Sequence, residues 1–313
     1  MKPCGQSPAS GVGDRRVTEN PQRIILGVDG GGTKTRAWIA LVTMPDTFKV
    51  IGKGLAGPAN VQTDDSTEAL ANIQHAVDAA KADARLAAEQ CEIDTACLAL
   101  AGSGTETSQA LINAWAAQVQ LAKQVIVTHD AMAVLYAANY KGVGVALIAG
   151  TGSIAFGRNR NEQTARCGGL GPNNSDAGSG YAIAMAALKA GLEIDGVEIA
   201  SSHQVEDMQR WEIAALAQLV FQASDAGDEQ ATAIVSAAVH DLANLVINVA
   251  EELELADRLF TLGLTGGVLI HRGDVRAQLM RELSTHGLTA SAVAIADPVM
   301  GALQLALRSL NHA

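Results

Sequence analysis

The fold can be predicted from one stretch, Ile24-Ile-Leu-Gly-Val-Asp-Gly-Gly-Gly-Thr-Lys-Thr-Arg-Ala-Trp-Ile39. Its first apolar run ends at Asp29, and a second begins after three glycines and Thr33-Lys34-Thr35. This pattern predicts two strands joined by a glycine turn. Consecutive glycine N–H groups can form an anion-binding concavity, and a carboxylate at the strand end can hold a hydrated Mg²⁺ that bridges phosphates. The candidate phosphate residues of this turn are Gly31, Gly32, Thr33 and Lys34.

The turn matches neither of two common phosphate-binding motifs. The Gly-x-x-x-x-Gly-Lys-Ser/Thr spacing of a Walker A loop is absent, and a Rossmann fingerprint needs its glycines to open a helix. Here β-branched and aromatic residues continue the chain as a strand. On these residues alone, an ordinary glycine-rich hairpin without a ligand is the stronger interpretation.

Composition excludes several classes of partner. The chain has 313 residues, enough for two domains that each bury a core, and a net charge of −11. This charge argues against nucleic acids and anionic membranes, and the 3% aromatic content argues against a base-stacking surface. No apolar run approaches the roughly 20 residues of a membrane span.

The cysteines and the N-terminus indicate the compartment. Cys4, Cys91, Cys97 and Cys167 form no C-x-x-C pair and no zinc-ligand spacing, so reduced thiols in a cytoplasmic protein are expected. The first twenty residues are polar and lack a signal-peptide core. We predict that residues 1–22 form a disordered extension.

Strands and helices alternate after the opening hairpin. Buried strands are predicted at Cys97–Gly102 and Gln124–Asp130, with amphipathic helices between them. The alternation predicts an α/β fold with helices on both faces of a sheet, in which ligands gather beyond the carboxyl ends of strands. Asp29 and Asp130 both stand at such ends.

The opening pattern then occurs a second time. Gly144-Val-Ala-Leu-Ile-Ala-Gly-Thr-Gly-Ser-Ile-Ala-Phe-Gly157 is again a strand, a glycine turn with hydroxyls and a strand. An internal repeat separated by roughly 120 residues predicts two similar lobes with the two turns facing each other across a cleft. Two facing turns make a better phosphate clamp than one. The second turn consists of Gly150, Thr151, Gly152 and Ser153.

Two further stretches carry candidate binding residues. Residues 166–180 are rich in glycine, asparagine and serine, which predicts a binding loop before a helix, with Asp176 and Ser179 as polar anchors. Thr265-Gly266-Gly267 permits a flat ring such as adenine to lie against backbone, although a plain strand-to-helix turn explains it equally well. Residues 193–258 are predicted to be helical, and a closing helix follows Pro298.

These motifs together resemble a known family. Their order is that of N-acetylglucosamine and glucosamine kinases, which belong to the BadF/BadG/BcrA/BcrD-type ATPase family within the actin-like, hexokinase and heat-shock-protein-70 ATPase superfamily. The resemblance covers about residue 24 to the end. The matching segments are Asp29–Thr35, Gly57–Asn60, Asp130–Ala131, Gly150–Ser153, Gly168–Gly171, Ser175–Gly180 and Thr265–Gly267.

The resemblance implies two ribonuclease-H-like lobes that close on ATP and a sugar. Residues 23–138 would form the N-terminal lobe, residues 139–297 the C-terminal lobe, and a helix at 298–311 would pack back on the first lobe. The implied activity is in-line transfer of the ATP γ-phosphoryl group to an amino sugar. A homodimer is the family expectation.

The resemblance also implies roles for individual residues. Asp130 would be the catalytic base, and Asp29 would help organise Mg²⁺. One departure is Ala177, where the family often has glutamate, so the finer sugar contacts are left open. Phosphates would contact Gly31, Gly32, Thr33, Lys34, Gly150, Thr151, Gly152 and Ser153. The nucleoside would contact Gly266 and Gly267. The sugar would contact Asn60, Val61, Asp130, Gly169, Leu170, Gly171 and Asp176.

Three alternatives remain open at this point. One is the activator-ATPase branch of the same family, which bridges an iron–sulfur cluster across a dimer with cysteines. Cys167 is the only cysteine near the family's loops, which argues against that branch. The others are a non-catalytic sugar sensor of the same fold, and a kinase acting on another hexose or a muramic-type sugar.

Overall fold

The structure, a computed structural model, describes residues 23–61, 66–85, 92–169, 176–194, 197–198, 205, 207–256 and 258–312. The predicted extension at 1–22 and the predicted sugar contacts Leu170 and Gly171 lie outside these residues. The strands are β1 (Ile24–Gly30), β2 (Thr35–Met44), β3 (Thr47–Ala56), β4 (Thr95–Leu100), β5 (Gln124–Thr128), β6 (Gly144–Ala149), β7 (Ser153–Arg158), β8 (Thr164–Gly168), β9 (Glu193–Ile194), β10 (Val197–Glu198), β11 (Phe260–Thr265) and β12 (Ala290–Ala294). The helices are α1 (Ser66–Ala84), α2 (Glu106–Gln118), α3 (Asp130–Ala138), α4 (Gly180–Lys189), α5 (Arg210–Ala215), α6 (Ala217–Asp225), α7 (Glu229–Glu252), α8 (Gly267–Ile270), α9 (Gly273–Thr285) and α10 (Val299–His312).

Two five-stranded sheets share one topology. The first has the order β3-β2-β1-β4-β5 and the second the order β8-β7-β6-β11-β12. In each sheet the first three strands in chain order form an antiparallel meander, and the last two run parallel to the first. The predicted α/β fold with a repeated strand–turn–strand unit is therefore confirmed.

The prediction of an all-helical segment at 193–258 is wrong at its start. β9 and β10 form a short antiparallel pair there, and α5 begins at Arg210. β8 is also absent from the prediction, because its last residues, 166–168, fall in the stretch predicted as a glycine-rich loop. β9 and β10 are too short for a two-residue periodicity to stand out.

Each sheet has its own core. One face of the first sheet packs against α1 and α2, and the other face packs against α10 through apolar side chains that include Ile25, Val299 and Leu303. The second sheet packs against α7 and α9. The bounds of the two lobes stay a prediction.

Helix α3 lies between the two sheets. Its residues Val134 and Leu135 pack with Ala146 and Phe156 of the second sheet, while Ala133 packs with α10 beside the first. A Cβ at Gly301 would overlap the carbonyl oxygen of Ala133, so α10 and α3 approach at backbone distance there. The residue that begins α3, Asp130, is thereby placed between the lobes.

Helix α7 is the one helix in the described part of the chain that is long and apolar enough to span a membrane by length and composition alone. Half of that apolar window is buried inside the protein. Leu242, Val246 and Val249 pack in the core of the second sheet. We therefore interpret α7 as a core helix.

Candidate active site

The first glycine turn exposes backbone donors. The N–H of Gly31 donates to the carbonyl of Lys34 (3.1 Å) and closes the turn. Gly32 and Thr33 are exposed, and within the described residues their N–H groups donate to no protein acceptor. A Cβ at Gly32 would meet nothing within 4 Å, so the space in front of the turn is open. These features fit an anion-binding concavity.

The second glycine turn has the same construction and faces the first. The N–H of Gly150 donates to the carbonyl of Gly152 (2.9 Å), and the N–H groups of Thr151 and Gly152 find no acceptor among the described residues. The hydroxyl oxygens of Thr33 and Thr151 lie 3.4 Å apart. The structure thus brings together the two turns that the sequence repeat predicts as a pair.

The Gly57–Val61 segment is joined to the first turn. The hydroxyl of Thr35 donates to the Gly57 carbonyl (2.7 Å), and the N–H of Ala59 donates to the Gly31 carbonyl (3.0 Å). The N–H of Val61 donates to the Ala101 carbonyl (3.3 Å), and the Val61 side chain is buried. The predicted sugar contacts Asn60 and Val61 therefore lie next to the first glycine turn. Their sugar-binding role stays a prediction.

The Gly168–Gly169 turn is joined to the second glycine turn. The N–H of Gly169 donates to the Ser153 carbonyl (2.9 Å), and both glycines have positive φ angles, 85° and 69°. The guanidinium of Arg166 donates to the carbonyls of Gly168 and Gly169. Gly169, a predicted sugar contact, is thus held beside the cleft by backbone and arginine.

Gly266 and Gly267 lie at the end of β11. Gly266 has φ 94°, and a Cβ there would overlap the backbone of Ala149, the residue before the second turn. A Cβ at Gly267 would meet nothing within 4 Å, and this glycine is exposed. A flat ring could therefore lie against this backbone. The nucleoside role of both glycines stays a prediction.

Asp29 is a nearly buried carboxyl at the end of β1, with 14% of its side chain exposed. Arg36 lies opposite it in the β1–β2 hairpin, with Nη1 3.6 Å from Oδ2, and the Arg36 Nε lies 3.6 Å from Asp297 Oδ1. Burial and, after it, the negative charge of Asp130 raise the pKa of Asp29 to about 7, although the positive charges of Arg36 and Lys34 act in the opposite direction. Arg36 and Lys34 therefore compensate the negative charge of the ionised Asp29 carboxylate only in part.

Asp130 begins helix α3. Its Oδ1 accepts a hydrogen bond from the N–H of Ala131 (2.9 Å), as a carboxylate at a helix N-terminus can. Burial raises the pKa of Asp130, while the Ala131 N–H and the charge of Arg166 lower it in part. A carboxylate with a raised pKa is a stronger base than an exposed one, and it lies between the lobes where the two turns meet.

His129 precedes Asp130 and contacts the other lobe. The centre of its ring lies 4.2 Å from the centre of the Phe156 ring, in an edge-to-face arrangement. Burial and, to a smaller extent, the nearby charge of Arg166 lower the pKa of His129 to about 4. The imidazole is therefore neutral at pH 7 and adds no charge beside Asp130.

Ser103 ties the ends of β4 and β5 together. Its side chain is fully buried, and its hydroxyl lies 2.9 Å from the Leu100 carbonyl and 2.8 Å from the Thr128 carbonyl. Thr128 stands two residues before Asp130. Ser103 thus helps to fix the position at which α3 begins.

We expect Ser103→Ala to lower the free energy of unfolding by about 1–2 kcal/mol, because the Thr128 carbonyl loses this donor, whereas the Leu100 carbonyl keeps the N–H of residue 103 (3.3 Å). Chemical denaturation with urea measures this change. Thr43→Ala is a matched control, since the Thr43 hydroxyl makes one exposed contact, to Thr47 (2.9 Å). An equal loss in both variants would contradict a structural role for Ser103.

A Mg²⁺ ion would have few protein ligands here. The described residues contain no group of three or more His, Cys, Asp or Glu side chains that could hold a metal. Mg²⁺ usually keeps several waters and is bound through one or two carboxylates plus substrate phosphates. One nearly buried carboxylate beside two turns rich in free N–H groups fits that mode of binding.

Sequence reasoning missed several residues that shape the site. Arg36 could have been found, because hairpin register places it opposite Asp29. No local pattern marks the others, whose partners lie far away in sequence. They are Ser103, His129, Arg166 and Arg210.

Comparisons with known proteins identify relatives of this chain. An N-acetylmuramic acid/N-acetylglucosamine kinase of Clostridium acetobutylicum is 28% identical over 268 residues, which cover 79% of this chain and 86% of that protein. An N-acetyl-D-glucosamine kinase of Dictyostelium discoideum is 27% identical. The alignment covers 92% of this chain and 99% of that protein.

Solved structures share the fold. A candidate N-acetylglucosamine kinase of Chromobacterium violaceum superposes with a TM-score of 0.69 at 20% identity, covering 92% of this chain and all of that one. Component A of the Acidaminococcus fermentans (R)-2-hydroxyglutaryl-CoA dehydratase gives a TM-score of 0.51 at 17% identity, covering 92% of this chain and 98% of that one. The model of one sequence family matches residues 26–306. The chain therefore belongs to the BadF/BadG/BcrA/BcrD ATPase family.

Proposed function

We propose that this protein is an ATP-dependent kinase that phosphorylates an amino sugar, N-acetylglucosamine or glucosamine. The observation that carries this proposal is the pair of facing glycine turns, whose Thr33 and Thr151 hydroxyls lie 3.4 Å apart. Asp130 at the start of α3 adds a carboxylate with a raised pKa. The family and the sugar kinases among its relatives support the same activity.

ATP with Mg²⁺ would supply the transferable phosphoryl group and the charge that neutralises it. Phosphoryl transfer has a loose transition state, so the protein contributes mainly positioning and electrostatic stabilisation. The free N–H groups of the two turns would bind phosphate oxygens, and Asp29 would hold Mg²⁺. Asp130 would orient the attacking sugar hydroxyl and accept its proton.

The proposal is tested by a substrate panel. The purified protein is incubated with ATP and Mg²⁺ plus N-acetylglucosamine, glucosamine, N-acetylmuramic acid, N-acetylmannosamine or glucose, and the sugar phosphate formed is measured. We expect the highest kcat/KM for an amino sugar. ATP hydrolysis that no sugar stimulates would contradict a kinase and favour the activator branch. A thermal shift with sugar but no phosphoryl transfer would favour a sensor.

A muramic-type sugar is a second candidate substrate, and Arg166 favours it. N-acetylmuramic acid carries a carboxylate that N-acetylglucosamine lacks. The exposed guanidinium of Arg166 holds the Gly168–Gly169 turn, and a Cβ at Gly104 of the other lobe would lie 3.8 Å from its Nη1. The arginine is therefore at the mouth of the cleft, where it could pair with a carboxylate of the sugar.

We expect Arg166→Gln to lower kcat/KM for N-acetylmuramic acid more than for N-acetylglucosamine, by an extra factor of about ten, because one charge-assisted hydrogen bond is lost. The ratio of the two kcat/KM values is the measurement, since loosening of the turn affects both sugars. Arg160→Gln, on the exposed β7–β8 connection, is the matched control. An unchanged ratio would contradict carboxylate recognition by Arg166.

The activator-ATPase alternative has less support. Among the described residues, Cys97 and Cys167 are free, and Cys97 is fully buried. Burial raises the pKa of the Cys97 thiol to about 12, which disfavours a thiolate. An iron–sulfur cluster would colour the protein, so its visible absorption spectrum distinguishes the two functions.

We further propose a cytoplasmic homodimer that uses Mg²⁺. The family resemblance supports the dimer, and the free thiols of Cys97 and Cys167 among the described residues support a reducing compartment. Light scattering measures the oligomeric state. Loss of activity with EDTA and its recovery with Mg²⁺ tests the metal.

A further inference from the structure

Two carboxylates of the candidate site differ in how their arginine partners are used. Asp176, a predicted sugar contact, is almost completely buried beside the second glycine turn, and its Oδ2 pairs with Arg210 of α5. Among the described residues, Arg210 pairs with no other carboxylate. Arg36, the partner of Asp29, is instead shared with a second carboxylate, that of Asp297.

Arg36 lies between two carboxylates from distant parts of the chain. Its Nη1 lies 3.6 Å from Asp29 Oδ2, and its Nε lies 3.6 Å from Asp297 Oδ1. The exposed fraction of the side chain is 14% for Asp29 and 44% for Asp297. Both distances exceed the range of a direct hydrogen bond. A short shift of the guanidinium toward one carboxylate would therefore strengthen that contact and weaken the other.

Asp297 lies where the chain crosses from the second sheet to α10, which packs on the first sheet. This crossover is held at the end of β11. The N–H of Ile295 donates to the Leu264 carbonyl (2.8 Å), and the hydroxyl of Thr265 donates to the Ile295 carbonyl (2.7 Å). The backbone near Asp297 is thus anchored, so its carboxylate is presented to Arg36 from a defined place.

The proposed Mg²⁺ site requires Arg36 to give way. Asp29 is the candidate Mg²⁺ ligand, and a guanidinium beside the same carboxylate repels a divalent cation. An arginine that left Asp29 without gaining another partner would lose its charge compensation in a partly buried place. Asp297 supplies a second carboxylate that the guanidinium already approaches within 3.6 Å.

We propose that Asp297 is a positioning residue for the metal site, which accepts the Arg36 guanidinium when Mg²⁺ and nucleotide are bound at Asp29. Asp297 acts through Arg36 and contacts neither the metal nor the substrate. The proposal rests on the nucleotide and Mg²⁺ part of the proposed function and is independent of which sugar is used.

The test is a calorimetric titration of the full-length protein with ADP and without sugar, once with excess Mg²⁺ and once with EDTA. The Kd in EDTA divided by the Kd in Mg²⁺ measures the contribution of the metal. We expect Asp297→Asn to lower this ratio by about threefold to tenfold, the range for coupled charges of one ion-pair network, because Arg36 then stays at Asp29. Arg36→Gln should raise the ratio, because the competing cation is removed.

The double variant Asp297→Asn/Arg36→Gln separates an effect through Arg36 from a direct one. If Asp297 acts through Arg36, the double variant has the same ratio as Arg36→Gln alone. If Asp297→Asn lowers the ratio equally in the absence of Arg36, Asp297 acts on the metal directly and the positioning role is wrong. An unchanged ratio in Asp297→Asn would also contradict the proposal.

Glu92 provides a matched control at the opposite end of the first sheet. Lys123 is shared by Glu92 (3.0 Å) and Asp94 (2.8 Å), so a cation between two carboxylates occurs there as well. Glu92→Gln should leave both Kd values for ADP unchanged. Equal changes in Glu92→Gln and Asp297→Asn would indicate a general effect of net charge and contradict the proposal.

The same titration separates this proposal from the kinase activity. A wild-type ratio near one would contradict the Mg²⁺ site and the role of Asp297 together. Failure of the wild-type protein to phosphorylate any sugar, with the expected ratios in all variants, would contradict the kinase proposal alone.

Discussion

Replacing Asp130 with asparagine is expected to lower kcat by about 10²–10⁴-fold, the usual contribution of a general base. Asparagine keeps the shape of the side chain and can still accept the hydrogen bond from the Ala131 N–H. It cannot accept a proton from the sugar hydroxyl. The KM for ATP should change little, because neither glycine turn is altered.

The measurement is steady-state kinetics with ATP and the best sugar of the panel, together with ADP titration and Tm to verify folding. Asp274→Asn is the matched control, since Asp274 also lies in the first turn of a helix but on an exposed surface. Because Asp130 acts in its deprotonated form, the wild-type rate should rise with pH through its raised pKa, and the variant should lose this limb. A kcat within a factor of a few of the wild type would contradict the base role.

The parts of this molecule that could be predicted from sequence are those with local patterns. Apolar runs, glycines and hydroxyl residues that lie close together in sequence mark three features. They are Asp29, the turn after it and the second turn at Gly150–Ser153. The repeat then predicts two lobes, and the two sheets with one topology confirm it. Backbone geometry follows from such patterns because glycine permits turn conformations that other residues avoid and β-branched residues favour strands.

The charges that tune the site could not be predicted in this way. Arg210 meets Asp176 from a separate helix, and Arg166 acts on Asp130 from the opposite lobe. Neither arginine has a spacing that distinguishes it from the other cations of the chain. Such pairs depend on how helices and strands pack in three dimensions. The fold of the two lobes is therefore easier to predict than the electrostatic interactions between them.

Asp29 is expected to destabilise the ligand-free protein at neutral pH. Burial and the charge of Asp130 raise its pKa from 3.8 to about 7 in the folded state. Between these two values the folded protein holds a proton that the unfolded chain has lost, so stability falls as pH rises through this window. Each pKa unit corresponds to about 1.4 kcal/mol, which makes the penalty a few kcal/mol above pH 7.

We therefore expect Asp29→Asn to raise Tm at pH 8 and to leave it nearly unchanged at pH 4, because the neutral amide removes a penalty that exists only when Asp29 is ionised. The same variant should lose about 10²–10³-fold in kcat/KM, the scale of one lost electrostatic contact to the transition state. Addition of ADP and Mg²⁺ should stabilise the wild type more than the variant. Thermal unfolding at pH 4, 6 and 8, with and without ADP and Mg²⁺, measures the two effects on stability, and steady-state kinetics measures the loss in kcat/KM. Asp46→Asn on the exposed β2–β3 connection is the control. A variant that is less stable than the wild type at pH 8 would show that the pairing of Asp29 with Arg36 outweighs its burial, and Asp29 would then be a structural ion-pair residue.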